Sequence, residues 1–191
     1  MFVRRCLGTL GALTTLAGTA VAVPPAADAA VTCSSYTSRA VLGGYEQTLT
    51  CPGGGFFMVE GLGTTLTDAS AQAAAVVQDQ ATTGLPCTFY NGSTDKLGGF
   101  GVTLECSGPG GLTFTNGLGT KLTEAAVEAR TLVQVYAATH QQCSDYSTSA
   151  VIGGFSVTLE CIAPAGIYFV TGTGTKLTDA AAAARALIHT S

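Results

Sequence analysis

The sequence predicts an α+β protein made of three tandem disulfide-closed β-β-β-α repeats packed against one another. Three observations carry that reading. Six cysteines fall into pairs separated by 18, 19 and 18 residues. A Gly pair followed by an aromatic residue stands alike in each copy: Gly43-Gly44-Tyr45, Gly98-Gly99-Phe100 and Gly153-Gly154-Phe155. Finally, the motifs GLGTTLTDA, GLGTKLTEA and GTGTKLTDA each open an alanine-rich stretch. Self-similarity at a fixed period marks stacked supersecondary units.

The first repeat spans residues 30–86, the second 87–142 and the third 143–191, after a signal peptide over residues 1–29. Arg4 and Arg5, an apolar stretch from Cys6 to Val23, and the small residues Ala26-Ala27-Asp28-Ala29-Ala30 compose that leader. The expected localisation is therefore secreted, with cleavage near Ala29 or, alternatively, around Ala22. Cys6 leaves with the leader, so Cys33, Cys51, Cys87, Cys106, Cys143 and Cys161 remain for disulfides. Equal spacing favours local pairing: Cys33 with Cys51, Cys87 with Cys106, Cys143 with Cys161. Each bridge closes a loop worth about 3 kcal/mol in chain entropy, which a unit of this size needs.

Within a repeat, the stretch before the second cysteine alternates with period two. Phe100, Val102, Leu104 and Cys106 fall on one side; Phe155, Val157, Leu159 and Cys161 repeat the pattern. Gln47 takes the corresponding place in the first copy. The Gly pair ahead of this strand marks a chain reversal that brings the two cysteines face to face. A further apolar run, Phe56 to Val59, Leu112 to Thr115 and Ile167 to Val170, reads as the third strand. Phe57, Val59, Thr113, Thr115, Tyr168 and Val170 are assigned to its outer face. They are the candidate binding residues, either packed between repeats or forming an exposed docking patch.

The helix follows. Thr67, Thr123 and Thr178 are expected as N-caps, each followed by an acid that suits the positive helix end. Ala69, Ala73, Val76 and Val77 take helical spacing in the first copy. Ala125, Ala129, Leu132, Val133 and Tyr136 do so in the second, and Ala180, Ala184, Leu187 and Ile188 in the third. Small residues early and larger ones late predict a helix that starts close to the sheet and diverges from it.

Chemistry is sparse. Only two histidines occur, His140 in a linker and His189 near the end, and neither recurs in another copy. There is no G-x-S-x-G elbow and no CxxC pair, so no catalytic residue, metal or cofactor is assigned. Glu105 and Glu160 are a conceivable carboxylate pair but occupy equivalent outward strand positions in different repeats. The G-x-G-T-K stretch lacks the order of a phosphate loop, since Leu follows Lys121 and Lys176.

The full chain has a net charge of −4; removing Arg4, Arg5 and Asp28 leaves 6 basic and 11 acidic residues, or −5. Nucleic acid and membrane surfaces are poor partners for such a chain. Its Ala, Gly and Thr bias resembles exported bacterial proteins. By elimination the expectation is a secreted non-catalytic binding or scaffold protein, with an extracellular protein partner favoured over a cell-surface glycan. A secreted inhibitor or antimicrobial effector is the alternative. Most Tyr and Phe are expected in the core.

Overall fold

In a computed structural model the described residues are 33–52 and 56–188. The leader, residues 53–55 and His189 lie outside them. Among the described residues, nine strands and three helices follow the order β-β-β-α three times. The first repeat holds β1 (Ser34–Val41), β2 (Gly44–Pro52), β3 (Phe56–Gly63) and α1 (Leu66–Thr83). The second holds β4 (Cys87–Lys96), β5 (Gly99–Gly108), β6 (Gly111–Gly119) and α2 (Leu122–Thr139). The third holds β7 (Gln142–Val151), β8 (Gly154–Ala163), β9 (Gly166–Gly174) and α3 (Leu177–Arg185). Each repeat forms its own antiparallel three-stranded sheet, with the middle strand in the centre, and no barrel closes.

The cysteine spacing reports the hairpin directly. Leu42-Gly43, Leu97-Gly98 and Ile152-Gly153 are two-residue turns, and each second position has a positive φ that only glycine adopts without strain. Counting back from such a turn places Cys87 opposite Cys106 and Cys143 opposite Cys161. All three bridges form as the spacing predicts. The longer separation in the second repeat has a local cause. Each first strand is interrupted by a bulge near its Tyr, and in β4 the interruption holds one residue more, Asn91 and Gly92.

Val102, Leu104, Cys106, Val157, Leu159 and Cys161 are buried, as their alternation requires. Gln47 is also buried, at the position of Val102. Its amide donates to Ser35 Oγ and to the carbonyls of Thr37 and Thr48, so a polar group there leaves no donor unsatisfied.

The third strands run further than the sequence indicates. They continue through Gly61-Leu62-Gly63, Gly117-Leu118-Gly119 and Gly172-Thr173-Gly174 instead of stopping at the first glycine. Those glycines are where the helix touches down. A Cβ on Gly61 would lie 2.1 Å from the Ala69 carbonyl oxygen and 2.2 Å from the Ala73 nitrogen. On Gly117 it would lie 2.1 Å from Ala129 N, and on Gly172 2.1 Å from Ala184 N. No side chain fits between strand and helix there. The early alanines of each helix therefore seat it close to the sheet, as the size gradient predicts.

Two details depart from expectation. The N-caps are Thr65, Lys121 and Lys176, two residues before Thr67, Thr123 and Thr178, which instead occupy the second helical position. Thr65 and Asp68 form a reciprocal capping box, and Glu124 accepts from the Lys121 backbone N–H at 3.1 Å. In the third repeat α3 ends at Arg185, so Leu187 lies beyond the helix and is exposed, while Ile188 is buried.

The core crosses repeat boundaries. One apolar cluster joins Leu49, Cys51, Val59 and Val76 of the first repeat with Phe89, Leu104, Leu122 and Val133 of the second. Another joins Leu118 and Leu132 with Val157, Leu159, Leu177 and Ala181. Residues 31–191 accordingly compose a single unit.

The helix seat sets the first prediction. Gly117→Ala should cost about 3 kcal/mol, because the methyl must displace the α2 backbone. Gly110→Ala, where nothing lies within 4 Å and φ is ordinary, should be neutral. Urea denaturation of both variants measures the difference, and equal midpoints would refute the close seat.

Candidate functional site

The third strand decides which residues face outward, and register fixes it. β6 sets Thr113 opposite Cys106, Thr115 opposite Leu104, and Gly117 opposite Val102. Residues directly opposite on paired strands share a face. Thr113, Thr115 and Gly117 therefore lie on the helix-covered side. Val59, Thr113, Thr115 and Val170 are all buried, and Thr115 Oγ1 donates to the Ala129 carbonyl of α2. The outer-face assignment of these residues is thus corrected: they line the interior beneath the helices. Tyr168 is half-buried and its hydroxyl bonds the Gln141 side chain. Phe57 pairs with Cys51 through its backbone, and its side chain lies outside the described residues.

The opposite face carries what the sequence reading placed in the core. Met58, Leu112, Phe114, Ile167 and Phe169 are exposed, as are Tyr36, Tyr90 and Tyr146 at the first-strand bulges. Tyr90 and Phe114 meet edge to face with ring centroids 5.7 Å apart; Tyr146 and Phe169 do the same at 4.9 Å. This geometry is the favoured one for aromatic pairs. Alternation from the cystine places the tyrosine there, since in β4 Cys87 and Phe89 share the inner face with Cys106 and Leu104 while Tyr90 pairs with Thr103 on the outer one, just ahead of the bulge. Glu105 lies opposite Phe114 and Glu160 opposite Phe169, so each ring pair borders a carboxylate. The signal was present in the sequence. Gly-x-Gly must face the helix, which puts the residues two and four places earlier inward and the residue three places earlier, Met58, Phe114 or Phe169, outward.

Away from this face, the charged side chains are mostly engaged between repeats. Arg130 bridges Asp79 at 2.5 Å and Gln72 at 3.0 Å. Arg185 pairs with Glu128 at 2.9 Å, and Lys96 with Asp145 at 3.0 Å. Burial pushes the Glu128 carboxyl above its usual range, with Arg185 opposing that shift. The displaced threonines join the same set. Thr123 Oγ1 receives the Thr64 N–H at 2.8 Å and donates to Asp68; Thr178 Oγ1 receives the Thr120 N–H at 2.9 Å and donates to Glu124. They tie each helix start to the helix start before it.

His140 is a structural residue. It caps α2 in the left-handed conformation, φ 57°, donating its backbone N–H to the Tyr136 carbonyl. Gly84 does the same for α1. Glu105 and Glu160 belong to separate sheets, half-buried on the open faces. Among the described residues no three His, Cys, Asp or Glu side chains come together as a metal site. The glycines of G-x-G-T-K are packed against the helix backbone, which leaves them unable to cradle a phosphate.

On the first sheet, Glu60 sits between Glu46 and Thr88 of the next repeat. Partial burial raises its carboxyl and the Glu46 charge adds to this, while the Thr88 hydrogen bond and Arg39 oppose it. Arg39 is held by Glu46, whose oxygens take both guanidinium contacts.

No protein-family model matches the chain, and no curated protein matches it at a significant level.

Two expectations follow. A carboxyl raised in the folded state contributes full stability below its unfolded value, near 4.5, and that contribution is lost as pH climbs through the folded value. Glu60→Gln should therefore flatten the fall in melting temperature above pH 4.5 and raise it at pH 7; an unchanged profile would contradict the assignment. His140→Gly should keep the fold and raise stability by up to about 1 kcal/mol, since it relieves a left-handed non-glycine residue. Destabilisation in a thermal melt would overturn the cap reading.

Proposed function

We propose that this chain is a secreted, non-catalytic scaffold that binds a protein partner through the helix-free faces of its sheets. The carrying observation is the recurrence, at equivalent positions of each repeat, of an exposed first-strand tyrosine and an exposed apolar residue of the third strand: Tyr36 and Met58, Tyr90 and Phe114, Tyr146 and Phe169, the last two pairs in ring contact. Isolated apolar residues on a surface mean little, but a set repeated in register marks an interaction face. Three linked copies of a weak site gain avidity without new contacts.

The partner's chemistry follows from the surroundings of the rings. Glu105 and Glu160 border the second and third ring pairs, and the chain as a whole is acidic. The matching surface is apolar at its centre and basic at its rim, as complementary interfaces are. A glycan is a poorer fit, because edge-to-face pairing spends one ring face of each pair on its neighbour.

Three disulfides fit an oxidising, extracellular compartment. Among the described residues no helix is long and apolar enough to cross a membrane. The disulfides support export together with the leader-like first 29 residues.

The test compares two proteins as bait in native culture medium: the wild type and a variant carrying Tyr90→Ser, Phe114→Ser, Tyr146→Ser and Phe169→Ser. The rings are exposed, so the melting temperature should move by no more than about 5 °C. A basic protein should be captured by the wild type, be released by salt, and be lost from the variant by tenfold or more. Equal capture by both would sink the proposed face.

A further inference from the structure

The joint between repeats is built twice within the chain, and each half of it is displayed once more at an end. Its first component is a ring on a turn. Phe100 lies over the Gly43 turn, where a Cβ would sit 2.4 Å from its ring, and Phe155 lies over the Gly98 turn at 2.3 Å. Its second is the threonine hook, Thr123 to Thr64 and Asp68, and Thr178 to Thr120 and Glu124. Its third is the first leucine of the helix: Leu122 and Leu177 are fully buried against the preceding repeat.

At the C-terminal end the receiving half stands open. Nothing lies within 4 Å of a Cβ on Gly153. A cavity of about 190 Å³ is bounded there by Val151, Ile152, Gly153, Thr173 and Thr175, and Ile152 is fully exposed. Thr175 and Asp179 occupy the places of Thr64 and Asp68, bonded only to each other among the contacts seen, at 3.2 Å. At the other end the inserting half is bare. Tyr45 stands at the position of Phe100 and Phe155 and is 44% exposed; Leu66 stands at that of Leu122 and Leu177 and is 43% exposed. Thr67, the counterpart of Thr123, is exposed as well.

We propose that the two ends bind each other in different copies of this chain, so that the first repeat of one molecule docks on the third repeat of the next. The contact is heterologous: Tyr45 enters the socket beside Gly153, and Thr67 bonds Thr175 and Asp179. Such a contact does not close on itself at two copies and propagates as an open string. The occupant is fixed by continuity, because the same surfaces already mate twice inside the molecule.

The polar contacts of the internal joints agree with this. Arg130 and Arg185 reach back to Gln72 and Glu128; at the ends the corresponding residues are Ala74 on the inserting side and Ala183 on the receiving side. Lys96 meets Asp145, whereas the ends present Val151 and Ser35. Both members of each pair are neutral together, so joining the ends buries no unpaired charge. Thr173 replaces Leu62 and Leu118, which are buried in the internal joints. The end joint is consequently the weakest of the three, and association is reversible and concentration-dependent.

Sedimentation velocity on the purified oxidised protein tests this. Between roughly 10 µM and 1 mM the mean mass should rise past that of a dimer, with a dissociation constant on the order of 100 µM. Two variants, one with Tyr45→Asp and Leu66→Asp and the other with Ile152→Asp and Thr173→Asp, should each stay monomeric alone. Mixed, they should form a one-to-one dimer and nothing larger, because one intact half remains on each. Unchanged far-ultraviolet dichroism and melting confirm that both fold. A wild type that stays monomeric at 1 mM, or a wild type that stops at a dimer, overturns the proposal, as does a mixture that remains monomeric. The variant lacking the four exposed rings should self-associate like the wild type; if it does not, association runs through the sheet faces and the end-to-end assignment is wrong.

Discussion

Each helix rests on bare glycine backbone, and the remaining geometry of the repeat follows from that seat. At Gly61, Gly117 and Gly172 the strand and helix backbones approach so closely that a methyl group has no room. Closeness at the N-terminal end of the helix demands alanine opposite, and Ala69, Ala73, Ala125, Ala129, Ala180 and Ala184 are all buried. A gap filled by backbone has little apolar side chain in it, so the small core alone stabilises weakly. The disulfide offsets this at the other end of the sheet, where it fixes the first strand to the second within the core. Glycine seat and cystine clamp thus divide the sheet between them.

The seat also places every helix start at the same height, which makes the joints between repeats possible. Thr123 can reach Thr64 and Asp68 because α1 and α2 begin in the same relation to their sheets; Thr178 meets Thr120 and Glu124 for the same reason. The acid at the third helical position serves two repeats. It accepts from its own cap backbone, as Asp68 does from Thr65 and Glu124 from Lys121, and from the threonine of the next repeat. Local capping and long-range assembly use one carboxylate, so loss of Asp68 or Glu124 would weaken both.

That double use explains what the sequence left hidden. The disulfides, the reversal at each Gly pair and the alanine face of each helix rest on short-range chemistry and were legible. The cap was displaced by two residues because Lys121 and Lys176 have no side-chain acceptor, whereas Thr123 and Thr178 look like caps. Their partners lie more than fifty residues away, where no local pattern reports them. The third strand failed for a different reason. Its period is legible but its sign is not: hydrophobicity alone leaves Val59, Thr113, Thr115 and Val170 on the outer face, and the register turns them inward. Beneath a close helix the order inverts: Thr113 and Thr115 fit where Phe114 would not, and the Thr115 hydroxyl finds the Ala129 carbonyl.

Inside, the copies differ where a polar side chain finds a backbone partner, at Gln47 and Thr115; otherwise they differ at their ends and open sheet faces. Tyr45 replaces a phenylalanine, Thr173 a leucine, and Met58 stands where Phe114 and Phe169 stand. Groups able to move protons are meanwhile taken up structurally. His140 closes a helix, while Asp79, Glu128 and Asp145 hold arginine or lysine across repeat boundaries. What remains exposed and recurrent is apolar ring surface bordered by carboxylate, together with two end faces that fit one another. In the roles proposed for them above, the two lie on different sides of the repeat, so that a partner bound on the sheets would leave the ends free to join.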